Sequence, residues 1–414
     1  MDTTTATAGQ AAPHRDISRP RRSTVLALHA VAALGIAAAA PAPGAAQTAA
    51  DTARVRAPVG PFTLADAESV RQPQRVAVSG DGSTVAFVIG DTLWVRSMTA
   101  PEVPARPVTA GMARAGGFIR PFIALSHDGR RIAFRTGAGG VGDIGTPMVA
   151  EIDDRRVTAR PLLPDSLLQR LQTFRHFAAG GPAWSPDGRR VAFLAVDTAD
   201  VVGRVSLQLY VASWPDGRIE RWTHDAAMKY SIAFSPDGRR LAVATGSTDD
   251  VGATVRLFDV DVGPGSGRTV AERDVSYLHD LLWSPRGDRL LAQASTYEAL
   301  LLGVSDDGTV EPVEHDLPRG RYRGWTSDGH ALLTTLPRGM TRSPALVRLP
   351  AGERVPLSEE EGVLLPLGIG GSDGVDIVVY SRETGETPRD LWAARVAKRP
   401  GAATPEAGRS HGGA

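Results

Sequence analysis

Trp184–Phe193 reads WSPDGRRVAF, and fifty residues later Phe234–Val243 reads FSPDGRRLAV. Aligned on the turn glycine, the same ten residues recur as VSGDGSTVAF (Gly82), LSHDGRRIAF (Gly129), WSPRGDRLLA (Gly287) and WTSDGHALLT (Gly329), with a fainter GGSDGVDIVV (Gly374). Proline presets φ for the first turn position, aspartate bonds its own downstream backbone, and glycine accepts positive φ. Asp81, Asp128, Asp187 and Asp237 are therefore read as turn-forming residues, not ligands or catalysts.

Outward from the copy at Gly188, the chain runs GPAWS, PDG, RRVAFLAV, a polar stretch, VSLQLYVASW, PDG again and RIERWTHD. Short segments rich in β-branched and aromatic residues, punctuated by turn chemistry, predict an antiparallel four-stranded meander. The copies at Gly238 and Gly287 repeat the plan. Successive turn glycines are 47, 59, 50, 49, 42 and 45 residues apart. Four strands per period of 40 to 50 residues predict an all-β β-propeller. About 340 residues divided by about 48 gives seven blades, with six as the alternative. The 59-residue gap contains PDSLLQRLQTFRHF, Pro164–Phe177, whose leucine spacing predicts a helix inserted between blades two and three. The last blade is one strand short, and the stretch Val55–Phe62 is expected to supply its outer strand and close the ring.

The N-terminus runs from a basic stretch ending RPRR at Arg22 through STVLALHAVAALGIAAAA to PAPGAAQ. That order of basic, apolar and small residues predicts a secretory signal peptide over residues 1–47, cleaved between Ala42 and Ala49. Its apolar run is short and alanine-rich against the roughly 20 residues that span a bilayer, so no stable membrane insertion is expected after cleavage. The Arg21-Arg22 pair leaves Sec and twin-arginine export both open. Residues 55–396 are assigned to the propeller, and the Pro/Gly/Ala-rich 397–414 to a disordered tail. There is no cysteine, hence no disulfide, thiolate metal site or lipoprotein anchor. A periplasmic or secreted location follows.

Lys+Arg and Asp+Glu each total 46, and no whole-molecule field favours nucleic acid. The basic residues are arginine except at Lys229 and Lys398, read as coding bias and not phosphate recognition. No phosphate loop, HExxH or EF-hand series is present, and no cofactor is expected. Four histidines precede four consecutive turn glycines: His176, His224, His279 and His315, by 12, 14, 8 and 14 residues. The last three are each followed by aspartate, at Asp225, Asp280 and Asp316. The expectation is a polar ligand or partner contact where the chain enters the innermost strands, at one mouth of the central channel. Neighbouring blades spread these imidazoles too far apart for the roughly 2 Å ligation a metal demands, so no metal site is assigned. Tyr230, Tyr277 and Tyr322 cluster in sequence near the same loops and are included in the candidate mouth. Trp184, Phe234, Trp283 and Trp325 recur just before the turn and are read as packing between blades.

The motif W-S-P-D-G-[KR]-[KR]-[VIL]-A-[FY] resembles the repeats of TolB-like, WD40-like β-propellers. The opening FTLADAESVRQPQRVAVSGDGSTVAFVI and the end VVYSRETGETPRDLWAARV also resemble the first and last parts of the propeller in the prolyl oligopeptidase family of serine peptidases. That resemblance implies a Ser-Asp-His triad on a following α/β-hydrolase domain of roughly 250 residues, its serine in G-x-S-x-G between a strand and a helix. Only 18 residues follow Val396. The one literal match, Gly370–Gly374 with Ser372, precedes the strand-like VDIVVYS, so Ser372 is not read as a nucleophile. The sequence therefore predicts a non-catalytic binding propeller with a protein or peptide partner in the cell envelope. A regulatory propeller, split from or left behind by a peptidase, is the alternative.

Overall fold

The computed structural model describes residues 73–397 except 91, 110–119, 137–145, 154–155, 169–170, 173–180, 198–206, 247–251, 340, 361, 373 and 385–389. The signal peptide, the expected closing strand Val55–Phe62, His176 and the tail after residue 397 lie outside the described residues.

Among the described residues the strands fall into seven antiparallel sets in chain order, here called units one to seven. Their innermost strands are Gln74–Val78, Arg120–Leu125, Ala183–Trp184, Met228–Phe234, Leu278–Trp283, Tyr322–Trp325 and Val363–Ser372. Unit four shows the plan in full: Met228–Phe234, Arg240–Gly246, Ala253–Asp259 and Arg268–Arg273, each paired with the next. Units one to six have four such strands and unit seven three, joined to unit six by a single parallel pairing, Arg342 with Val363.

Burial grades outward along each unit. In unit four the second strand, RLAVATG, is buried at six of its seven residues. The third alternates over its first half, and the fourth has no buried residue. Strands covered on both faces read as continuous apolar runs, and half-covered ones alternate.

Successive residues of a strand point to opposite faces, so each second strand serves two interfaces. Leu241 and Val243 pack against unit three, in a cluster with Leu194, Leu209 and Trp222. Ala242 and Ala244 pack against unit five, with Leu278, Leu290 and Leu302. Every neighbouring pair of units shares such a cluster, and the last joins unit seven to unit one through Phe87, Ile89, Val379 and Leu391. The Gly371 N–H donates to the Gly80 carbonyl at 2.9 Å across the same seam. The ring is closed, and the fold is a β-propeller.

The repeated turn is a small hydrogen-bonded device. In unit four the Ser235 hydroxyl donates to Asp237 Oδ1 at 2.5 Å and accepts the Arg240 N–H at 2.9 Å, while the Arg239 N–H donates to Asp237 Oδ1 at 3.0 Å. Gly238 sits at φ 72°, where a side chain is strained. Ser79–Asp81, Ser126–Asp128, Ser185–Asp187 and Thr326–Asp328 repeat the hydroxyl–carboxylate bond at 2.6 Å. In unit five Arg286 stands where the aspartate would be, and Asp288, one residue past the glycine, accepts the Ser284 hydroxyl instead at 2.6 Å. The aspartates thus act as the sequence predicted.

The aromatics before these turns stitch units together. The indole N–H of Trp184 donates to Ala124 O at 3.1 Å, that of Trp283 to Ala233 O at 3.1 Å, and that of Trp325 to Leu282 O at 3.0 Å, each reaching the preceding unit.

The helix expected over Pro164–Phe177 is corrected. Among the described residues of that segment only Asp165–Leu168 is helical, one turn, and Leu171–Gln172 pairs as a short strand with Val196 and Asp197. Leu162, Leu163 and Leu171 are buried in the cluster between units two and three. The leucine spacing fitted a helix, but burial against unit three decided the conformation.

Candidate functional site

Antiparallel order puts all serine–aspartate turns and all third-to-fourth-strand hairpins on one face of the ring. The approaches to the innermost strands and the second-to-third-strand hairpins lie on the other, the mouth face. The candidate residues were expected there, and the structure divides them.

Tyr230, Tyr277, His279 and Asp280 come together. Tyr230 is buried in unit four and stacks on Tyr277 of unit five, ring centroids 4.9 Å apart and planes at 23°. Burial, then the neighbouring Tyr277, raises the Tyr230 hydroxyl pKa above the usual phenol range. Tyr277 is 36% exposed. Its other neighbour is the His279 ring at 5.9 Å, and the Ser295 N–H fixes its backbone by donating to its carbonyl at 3.1 Å. His279 Nδ1 lies 2.9 Å from Asp280 Oδ2. These last two residues belong to the innermost strand Leu278–Trp283 itself, not to the connection before it as expected, because pairing with unit five's second strand begins at Leu278.

Asp280 occupies a β-bulge, the register slipping between His279 and Leu282, and its φ is 47°. Bulges re-aim side chains, and a positive φ outside glycine is uncommon. Unit six has the equivalent slip between Tyr322 and Gly324, around Arg323. Arg323 is exposed on the innermost strand of unit six. Burial, then the Arg321 charge, lowers its pKa, and Asp280 pulls the other way. Burial also disfavours the Asp280 carboxylate, but the His279 hydrogen bond and the charges of His279, Arg321 and Arg323 outweigh it and hold the pKa below the usual range.

The remaining candidates do not join this group. Tyr322 is buried at 1% exposure, its hydroxyl donating to Pro318 O at 2.5 Å and its backbone bonded both ways to Gln293, so it is a structural residue. His315 accepts the Leu317 N–H at 3.2 Å, and the Asp316 N–H approaches Pro350 O at 3.5 Å, against a hairpin on the turn face. This segment peels off the outer strand of unit five before reaching the mouth. His224 is exposed on the mouth approach. Its neighbour Asp225 is held by Lys229 Nζ at 2.6 Å and Arg256 Nη1 at 2.7 Å. Lys229 is fully buried and also donates to Ala227 O at 2.8 Å and Gln208 Oε1 at 3.3 Å. Burial lowers its pKa, partly offset by Asp225. This network anchors the loop that delivers Tyr230.

Sequence reasoning missed Arg321, Arg323 and Lys229. The first two flank a candidate tyrosine in RYR, a signal hidden by arginine's abundance. Lys229, in a chain with two lysines, was set aside with the other basic residues.

Ser372 ends the innermost strand of unit seven and is followed, past Gly374, by the strand Val375–Glu383. That is a hairpin, not a strand-to-helix elbow. Among the described residues the one α-helix is Asp165–Leu168, no helix is long and apolar enough to cross a membrane, no hydrolase-like helical domain is present, and no three His, Cys, Asp or Glu side chains converge on a metal position.

Fold and site define a closed β-propeller with an aromatic and charged mouth. No protein-family model matches the sequence, and no curated protein matches it. Among solved structures, the chain is similar to TolB from Acinetobacter baumannii (14% identity, TM-score 0.43, 68% of this chain and 65% of that one). It is also similar to Porphyromonas gingivalis dipeptidyl peptidase 4 (14% identity, TM-score 0.48, 77% of this chain and 50% of that one). The chain thus spans less than two thirds of either.

Proposed function

We propose that the protein is an exported, non-catalytic, seven-bladed β-propeller that binds a protein or peptide partner of the cell envelope at its mouth face. One observation carries this: Tyr277 is partly exposed on a base of buried Tyr230, beside the His279–Asp280 pair. A rigid, amphipathic tyrosine with a fixed base offers contact area at small entropic cost, and such residues concentrate binding energy. The polar groups alongside supply orientation.

The test is site-specific photo-crosslinking in envelope extract. A photoreactive residue at Tyr277 is expected to trap a defined, saturable adduct; one at Val262, 70% exposed in a turn-face hairpin, is expected to trap none. Equal trapping at both positions overturns the reading. A serine-hydrolase probe is expected to leave this chain unlabelled.

A further inference from the structure

Arg321 and Arg323 have no established task. The guanidinium groups of Arg321 and Arg323 make no hydrogen bond or close ion pair among the described residues, whereas Arg319 pairs with Glu298 and Arg256 with Asp225. Exposed guanidinium groups with no protein acceptor keep their fork of N–H donors available to an anionic ligand. Arg321 and Arg323 stand two residues apart at the bulged innermost strand of unit six, and their charges act on Asp280 at the bulge of the neighbouring unit, so the three share one region. Gly324 beside Arg323 has φ 151°, and a Cβ there would lie 2.7 Å from the Ile369 side chain, so the backbone is committed to this geometry.

Taking the above reading of the mouth as its basis, we infer that Arg321 and Arg323 form a carboxylate-binding site, receiving the terminal carboxylate of a peptide segment that packs across Tyr277. The charge balance selects the anion. Two arginines and Asp280 leave one net positive charge, matching a carboxylate better than a doubly charged phosphate. Guanidinium donors present the paired geometry a carboxylate accepts. Among the described residues Asp280 makes no salt bridge to either arginine and has His279 as its hydrogen-bond partner, so it tunes the site without filling the arginines' donors.

The experiment is calorimetric titration of the mature protein at low salt with one short alanine- and tyrosine-containing peptide in two forms, ending in a free carboxylate or in an amide. Inorganic phosphate and succinate serve as further titrants. The expected result is binding of the carboxylate form at least tenfold tighter than the amide form, phosphate weaker than the peptide, and loss of that preference in Arg323→Gln and in the Arg321→Gln/Arg323→Gln double variant. Equal binding of the two forms, an unchanged preference in the double variant, or no binding of the carboxylate form at millimolar concentration each overturns the inference. Succinate binding as tightly as the peptide does so too, since it assigns the site to free small acids. Tyr277→Ala separates the two claims. If the two peptide forms bind equally and Tyr277→Ala removes both, the mouth reading stands and the carboxylate site fails. If Tyr277→Ala changes neither while the arginine variants do, the mouth reading and the packing across Tyr277 fail and the carboxylate site stands.

Discussion

The two faces of the ring are built by opposite rules. On the turn face, five hydroxyl–aspartate turns repeat with hydrogen bonds within 0.1 Å of one another, and unit five reaches the same end with a displaced aspartate. On the mouth face the described residues of units four to six differ: unit four offers buried Tyr230 and the Lys229 network, unit five Tyr277, His279 and Asp280, unit six Arg321 and Arg323. Repetition marks the face whose job is to hold strands in register, and individuality marks the face free to bind.

The comparison can be broken most severely at the closing seam. Phe87→Ala empties a fully buried site between units one and seven and is expected to cost about 3–5 kcal/mol, read as a lower denaturation midpoint without a changed slope. Lys229→Ala comes next. It takes the lysine donor from the Ala227 carbonyl and from Gln208 Oε1 and removes the buried ion-pair partner of Asp225, and about 2–4 kcal/mol is expected by the same measurement. If it instead costs almost nothing, the mouth loops do not depend on that network.

A single turn carries less. Ser235→Ala removes one donor and one acceptor and is expected to cost about 1–2 kcal/mol; the same substitution at Ser185 should cost the same within error if the turns are equivalent. Acid provides a collective version. Partial burial opposes ionisation of Asp128, Asp187 and Asp237, but the serine hydroxyls, backbone N–H groups and adjacent arginines prevail and depress their pKa values. Their stabilisation is therefore complete above the unfolded aspartate pKa of about 3.9 and is lost as pH falls through the lower folded values. A thermal melting series from pH 5 to pH 2 should show the loss only at the acid end, and less of it in Asp187→Asn/Asp237→Asn. The smallest stability change, under about 1 kcal/mol, is expected for Tyr277→Ala, whose effect should appear in the crosslinking yield.

The fold was legible because its signals are local. A turn needs its serine, aspartate and glycine within a few residues, and seven copies leave little choice of architecture. The inserted segment was misread because its leucines obey tertiary burial, not helix periodicity: Leu171 pairs with a strand 26 residues later. The site was half legible. Tyr277, His279 and Asp280 were found by their position before the turn, but the same rule admitted Tyr322 and His315, since register relative to a turn does not say where a bulge redirects the chain. Arg321 and Arg323 escaped because their distinction is the lack of partners, a property no sequence displays.

The seam between units one and seven also bears on how the ring is assembled. Phe87 and Ile377 meet across roughly 290 residues of chain, and bringing the ends of such a loop together costs about 5 kcal/mol of chain entropy beyond the length-independent part. Neighbouring units meet over far shorter loops, so the seam should form last and leave a transient open arc with apolar flanks. Two open arcs at high concentration can complete each other, and refolding there should yield dimers in proportion to protein concentration, visible by size exclusion and suppressed on dilution. If the product stays monomeric at every concentration, closure outpaces encounter and the seam is no weak point.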